Sequence, residues 1–192
     1  DRVLDICGNV SLSVAQSLGS GTMAMNGLSQ TDIICVDGDG GETNPNKGYI
    51  VSTAHLAITS LKLSLPKTIG TRPSLFECNG NTLTLGGCWI VESVSGSGIE
   101  YRIATAAGYG KLVLSSVSIS NVKFGECGIV ELKEGTTASC SLTSCVWNLI
   151  ESNTTDGLLV ARNGTTLTMS GCNFGNVAVS KGCVVKAVGT SK

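Results

Sequence analysis

An eight-residue pattern returns five times along this chain: apolar, any, apolar, two small or polar residues, apolar, any, apolar. It reads Leu56-x-Ile58-x-x-Leu61-x-Leu63, Leu83-x-Leu85-x-x-Cys88-x-Ile90, Leu112-x-Leu114-x-x-Val117-x-Ile119, Cys140-x-Leu142-x-x-Cys145-x-Trp147 and Leu167-x-Met169-x-x-Cys172-x-Phe174. Counted at the third apolar position, the steps 61 to 88, 88 to 117, 117 to 145 and 145 to 172 are 27, 29, 28 and 27 residues. A period of this length built from strand-type alternation constrains the chain to a solenoid of stacked parallel strands.

Each apolar-x-apolar triplet is a short strand whose alternate side chains share one face. The pairs that break the alternation, Thr59-Ser60, Gly86-Gly87, Ser115-Ser116, Thr143-Ser144 and Ser170-Gly171, are small residues suited to a sharp corner. Both flanking strands then point their apolar residues at one interior. A third wall is expected where glycine opens a β-rich run, at Gly48-Tyr49-Ile50-Val51, Gly98-Ile99-Glu100-Tyr101, Gly128-Ile129-Val130-Glu131, Gly157-Leu158-Leu159-Val160 and Gly182-Cys183-Val184-Val185. Turns such as Asn79-Gly80-Asn81 and Asn163-Gly164-Thr165 lead back to the first wall. The fold class is therefore all-β, a parallel β-helix of about five to six triangular coils of about 28 residues each. Two interior ladders follow: Leu61, Cys88, Val117, Cys145, Cys172 and Leu63, Ile90, Ile119, Trp147, Phe174. A one-residue slip would instead bury Lys62, Trp89, Ser118, Val146 and Asn173, so the register is well specified. The regular helix covers 48–192; residues 1–47 form less regular coils with a projecting loop at 37–47, within a single domain.

Composition narrows the function classes. Thirteen basic and fourteen acidic residues give a net charge of −1, and charged residues are 14% of the chain, leaving no electrostatic footprint for nucleic acid or an anionic membrane. No apolar run approaches the roughly 20 residues that span a bilayer. The chain opens on Asp1 and stops after a strand-like run without a polar cap, as expected of a processed product or an excised piece. Nine cysteines without a Cys-x-x-Cys pair, and the single histidine His55, lack zinc spacing. Sequons stand at Asn9, Asn153 and Asn163. Cysteines and sequons together point to an extracellular or cell-surface glycoprotein.

The phrase Leu167-Thr-Met169-Ser-Gly-Cys172-Asn-Phe174-Gly-Asn176, preceded by Gly157-Leu-Leu-Val and a Gly-Thr-Thr turn, resembles right-handed parallel β-helix proteins of the pectate-lyase-like superfamily. It is most similar to the surface-repeat and adhesin type, and the resemblance covers about residues 48–192. It implies a right-handed coil and, for the adhesin type, no catalysis. The superfamily's lyase and hydrolase residues have no matching motif here: there is no Asp-Asp pair and no Gly-His-Gly.

Most of the remaining candidate residues also have a plain structural role. Asp37, Asp39 and Glu42 make a partial oxygen-ligand pattern for Ca²⁺, but without the regular third ligand and downstream glutamate of a calcium loop they read first as a solvated acidic turn. No other cofactor is expected. His55 precedes a strand and reads as a surface or turn histidine rather than a general base. Cys88, Cys145 and Cys172 suit an apolar interior stack. Cys145 with Cys172, Cys7 with Cys35 and Cys127 with Cys140 are candidate disulfides, and the odd count leaves at least one thiol unpaired within the chain. The first expectation is a structural or adhesive module that self-associates through uncapped solenoid ends or belongs to a longer chain. The alternative is a glycan-binding or glycan-cleaving β-helix, with Trp89 available for sugar stacking and Trp147 committed to the interior. An ice-binding solenoid ranks lower, because threonines cluster at corners.

Overall fold

The computed structural model describes residues 2–6, 10–12, 16–18, 21–27, 32–35, 49–52 and 55–192. Strands follow one another in threes. The first two coils are β1 (Arg2–Ile6), β2 (Val10–Leu12), β3 (Gln16–Leu18) and β4 (Thr22–Gly27), β5 (Asp32–Cys35), β6 (Ile50–Ser52). The third and fourth are β7 (His55–Thr59), β8 (Lys62–Leu65), β9 (Ser74–Asn79) and β10 (Thr82–Gly86), β11 (Trp89–Glu92), β12 (Arg102–Ala107). The fifth is β13 (Lys111–Ser115), β14 (Ser118–Phe124), β15 (Val130–Leu132); the sixth is β16 (Ser139–Thr143), β17 (Val146–Ser152), β18 (Gly157–Ala161). The seventh is β19 (Thr166–Ser170), β20 (Asn173–Val179), β21 (Cys183–Ala187).

Every strand pairs in parallel with its counterparts one coil away, giving three seven-stranded walls. This is the solenoid expected from the repeat. The five repeats are the coils from β7 to β21, and β1 to β6 supply two further rows.

Two details of the third wall differ from the sequence reading. The wall of the third coil, β9, has no opening glycine: Arg72-Pro73 leads into Ser74–Asn79, so the glycine criterion passed over it. In the fourth coil the strand is Arg102–Ala107 rather than the run from Gly98. There, Ile99 makes a single bridge to Phe124 before the wall begins.

The interior is the two expected ladders and their equivalents. Leu61, Cys88, Val117 and Cys145 are all fully buried, and Trp147 is buried in register with Ile119. The Trp147 and Phe174 rings meet at 4.9 Å between centroids with a 53° tilt, within the range of favourable aromatic pairs. At the first corner Ser60, Gly87, Ser116, Ser144 and Gly171 all take positive φ, between 53° and 61°. The left-handed residue resets the alternation, so Leu85 before it and Cys88 after it both face inward. Corner N–H groups stay in the ladder: Ser60 donates to the Gly86 carbonyl, Gly87 to Ser115 and Ser116 to Thr143.

A further corner was not expected. Asn121, Leu149 and Asn176 take φ of 55°, 53° and 50° in the middle of β14, β17 and β20. The second wall therefore bends in the last three coils. Ile119 and Val122 are both buried while the two residues between them are exposed, the same inward-out-out-inward order as at the first corner.

Burial fades at the last coil. Met169 is 43% and Val185 39% exposed, while Leu167, Cys172, Phe174, Val177 and Val179 are half-buried against the core. At the opposite end Leu4 is 51% exposed. Leu4 and Met169 stand in one ladder, linked through Met25, Ile58, Leu85, Leu114 and Leu142.

Candidate functional site: an axial groove beside the bent wall

The bend in the second wall creates a concavity on the outer surface. Its rail is Asn121, Leu149 and Asn176, one per coil, and a parallel rail two residues on is Lys123, Glu151 and Ala178. The loop following β11 closes the fourth-coil end with Glu92, Ser95 and Gly96. The groove holds about 350 Å³ and runs along the solenoid axis.

One wall of it is held by Glu92. Strand β11 stops at this residue, before the bend, and the chain leaves the wall until Ile99. The carboxylate takes the place of the missing strand: Oε1 accepts the Lys123 N–H at 2.6 Å and Oε2 accepts the Gly96 N–H at 2.5 Å. Ile99 then donates to the Lys123 carbonyl at 2.7 Å and accepts from Gly125 at 2.8 Å. The side chains of Lys123 and Glu151 are exposed and make no ion pair with each other. Leu149 is 52% exposed in a left-handed conformation that costs a branched residue about 1 kcal/mol more than asparagine. Sequence reasoning missed this site. Its signal was present as Ile119-x-x-Val122, Trp147-x-x-Ile150 and Phe174-x-x-Val177, repeating the spacing that marks the first corner.

The residues singled out from sequence are distributed elsewhere. Asp37, Asp39, Glu42, Asn9 and Cys7 lie outside the described residues, as does the side chain of Cys35 at the end of β5. Among the described residues no group of three His, Cys, Asp or Glu side chains is placed to hold a metal ion, and no helix is long and apolar enough to cross a membrane. His55 is exposed and its Nδ1 accepts the Thr82 N–H at 3.1 Å, a structural contact across one coil. Trp89 stands outward on β11 at 47% exposure, while Trp147 is interior. Asn153 and Asn163 are exposed at turns. Their Oδ1 atoms accept from Ser180 Oγ at 2.9 Å and from Thr190 Oγ1 at 2.5 Å.

The candidate disulfides within the described residues are free thiols. Cys127 lies in the turn before β15, where its Sγ donates to the Ile99 and Tyr101 carbonyls at 3.3 and 3.2 Å, whereas Cys140 is an interior residue of the first wall. Cys145 and Cys172 are ladder neighbours at the first corner, yet each Sγ is turned to a carbonyl: Cys145 to Leu114 at 3.4 Å, Cys172 to Ser170 at 3.5 Å. Cys88 does the same with Ile58 at 3.4 Å. These thiols thus satisfy backbone oxygens around the corners as well as filling the stack. Burial pushes the Cys127 thiol up to about 11 and raises Cys78, Cys88, Cys140 and Cys145 as well, which keeps the donating proton in place.

The outer face of the third wall carries an ion network. Arg102 Nε and Arg162 Nε grip opposite oxygens of Glu131 at 3.0 and 2.6 Å, and Arg162 also reaches Asp156 at 2.7 Å. Lys186 closes it on Asp156 at 2.8 Å. Gly128 is required beneath it, because a Cβ there would stand 2.0 Å from the Gly157 carbonyl oxygen and 2.7 Å from the Arg102 guanidinium. Partial burial acts to raise the Asp156 carboxyl, but the Lys186 hydrogen bond and the charges of Arg162, Lys186 and Arg102 outweigh it and hold Asp156 below the usual carboxylate range. Each charged group of the network has an ion-pair partner, three cations on two carboxylates, so it clamps four coils together; Arg102 Nη1 is buried without a hydrogen-bond partner.

Compared with known families and with curated proteins, the chain matches no family model and no curated protein.

Proposed function

We propose that this chain is an extracellular structural or adhesive β-helix module, non-catalytic along its walls, that extends by stacking end to end with further copies of itself. The carrying observation is the interior ladder that leaves Leu4 half-exposed at one end and Met169 at the other. Met169 of one copy on Leu4 of the next would continue the same row, and the edge of β19 beyond Leu167, whose own N–H donates to the Lys192 carbonyl, would gain a parallel partner. Further coils of a longer polypeptide would satisfy the same edge. Exposed sequon asparagines at Asn153 and Asn163 support a secreted glycoprotein. The long parallel ladders and their left-handed corners support kinship with the pectate-lyase-like superfamily, and the resemblance to its adhesin-type members supports a non-enzymatic role.

Light scattering and electron microscopy of the purified chain test this. The expected result is concentration-dependent growth into rods of constant width, suppressed by Met169→Glu and Val185→Lys. A monodisperse monomer at all concentrations rejects self-stacking, and the longer-polypeptide version then predicts that the same edge becomes protected when the adjoining chain is present.

A further inference from the structure

We propose that Asn79-Gly80, in the turn from the third wall of the third coil to the first wall of the fourth, is a self-modification site. There the asparagine loses its amide nitrogen and becomes aspartate or isoaspartate. The inference is independent of end-to-end stacking.

The reaction needs only the chain and water. The Gly80 backbone nitrogen gives up its proton to solvent and attacks Asn79 Cγ. A new C–N bond closes a succinimide ring as the Cγ–Nδ2 bond breaks, and Nδ2 leaves as ammonia. Water then opens the ring at either carbonyl. One opening gives aspartate; the other gives isoaspartate, with an extra methylene in the main chain. Glycine favours the attack because it has no side chain to hinder the approach, and because both reacting atoms belong to neighbouring residues the step is intramolecular.

Three Asn-Gly dipeptides occur, at Asn26, Asn79 and Asn163, and the fold leaves each a different freedom. Asn26 lies within β4, where its Nδ2 donates to Asp5 Oδ1 at 3.2 Å and its Oδ1 accepts from Thr59 Oγ1 at 2.7 Å. Asn163 stands in a turn, but its Oδ1 accepts both the Thr190 N–H at 3.3 Å and the Thr190 hydroxyl at 2.5 Å. Asn79 is exposed at the end of β9, and among the described residues no hydrogen bond holds its side chain. Gly80 follows at a φ of 76°, with nothing within 4 Å of where its Cβ would stand.

The two reacting atoms also border one gap. A Cβ on Gly108, in the equivalent turn one coil on, would lie 3.9 Å from Asn79 Cγ and 3.7 Å from the Gly80 nitrogen. Because residue 108 is glycine that space stays open, and the Asn79 amide has room to swing toward the nitrogen.

The product alters an anchored turn. The Asn81 carbonyl accepts from Cys78 Sγ at 3.0 Å and from the Lys111 N–H at 2.8 Å, which fixes the entry to β10. An added carboxylate and, on the isoaspartate branch, a longer main chain fall between Cys78 and that anchor. The site thus records the age of the folded rod.

The test is peptide mass spectrometry of the whole chain, incubated at neutral pH and sampled over weeks, with isoaspartate separated from aspartate by chromatography. Folded protein should convert Asn79 about fivefold faster than Asn163, the factor one typical hydrogen bond is worth, and Asn26 slowest of the three. In concentrated urea the three rates should converge, since the dipeptide is the same. Thr190→Val removes the hydroxyl donor and should speed Asn163 by about fivefold while leaving Asn79 unchanged. Asn79 staying intact in the folded chain while it converts in urea overturns the proposal. So does folded Asn163 or Asn26 converting as fast as Asn79, or Thr190→Val leaving the Asn163 rate unchanged.

Discussion

Glu92 Oε1 accepts the backbone N–H of Lys123 at 2.6 Å, across the gap where β11 has already left the wall and β14 continues. A side chain therefore completes a backbone ladder that the main chain abandons. The loop beyond Glu92 projects because that carboxylate secures both its root and, through Gly96, its tip.

Glu92→Ala should cost about 1 kcal/mol in urea unfolding, since both freed N–H groups are near solvent and water partly replaces the carboxylate. Amide hydrogen exchange at Lys123 and Gly96 should speed up while the interior strands stay protected. Unchanged exchange at both amides would show that the carboxylate is not what holds the loop.

The corner thiols act as donors, so volume alone should not rescue them. Cys145→Val fills the stack but leaves the Leu114 carbonyl without its partner, and a loss of about 0.5–1.5 kcal/mol is expected. In the native state Cys127, with its thiol near 11, should resist iodoacetamide at mildly alkaline pH, while the exposed Cys183 reacts first. Peptide mass spectrometry after brief alkylation reads this directly. Equal labelling of the two would contradict the burial of Cys127.

Acid should loosen the third wall through Asp156. Its folded pKa lies below the ordinary 3.8, so its contribution is complete above that value and is lost as pH falls through it toward the lower folded value. Asp156→Asn should flatten the acid limb of the stability curve and lower stability at neutral pH by about 1 kcal/mol, a modest figure because the network is partly solvated. An acid limb identical to that of the parent chain would assign the loss to other carboxylates.

The walls and interior were legible because they obey a two-residue alternation interrupted at a fixed interval. Leu85, Cys88 and Ile90 announce a corner by their spacing alone. Strand β9 was not legible by the same means, since Arg72-Pro73 stands directly before it and the turning glycine, Gly70, lies four residues upstream. The groove was hidden for a different reason. Its rails are outward-facing residues, Asn121, Leu149 and Asn176 in one and Lys123, Glu151 and Ala178 in the other, and neither rail keeps one residue type along its length. Only the left-handed conformation at one position per coil unites them, and a leucine there does not advertise it. Glu92 was invisible for a third reason, because its role arises from where a neighbouring strand stops.

The bend at Asn121, Leu149 and Asn176 makes the solenoid a ruler. Each bent coil lengthens the channel by one strand spacing, about 4.8 Å, without altering its width. Duplication or loss of a single unit of about 28 residues in this region would therefore change the length of the channel by one strand spacing while leaving its cross-section untouched.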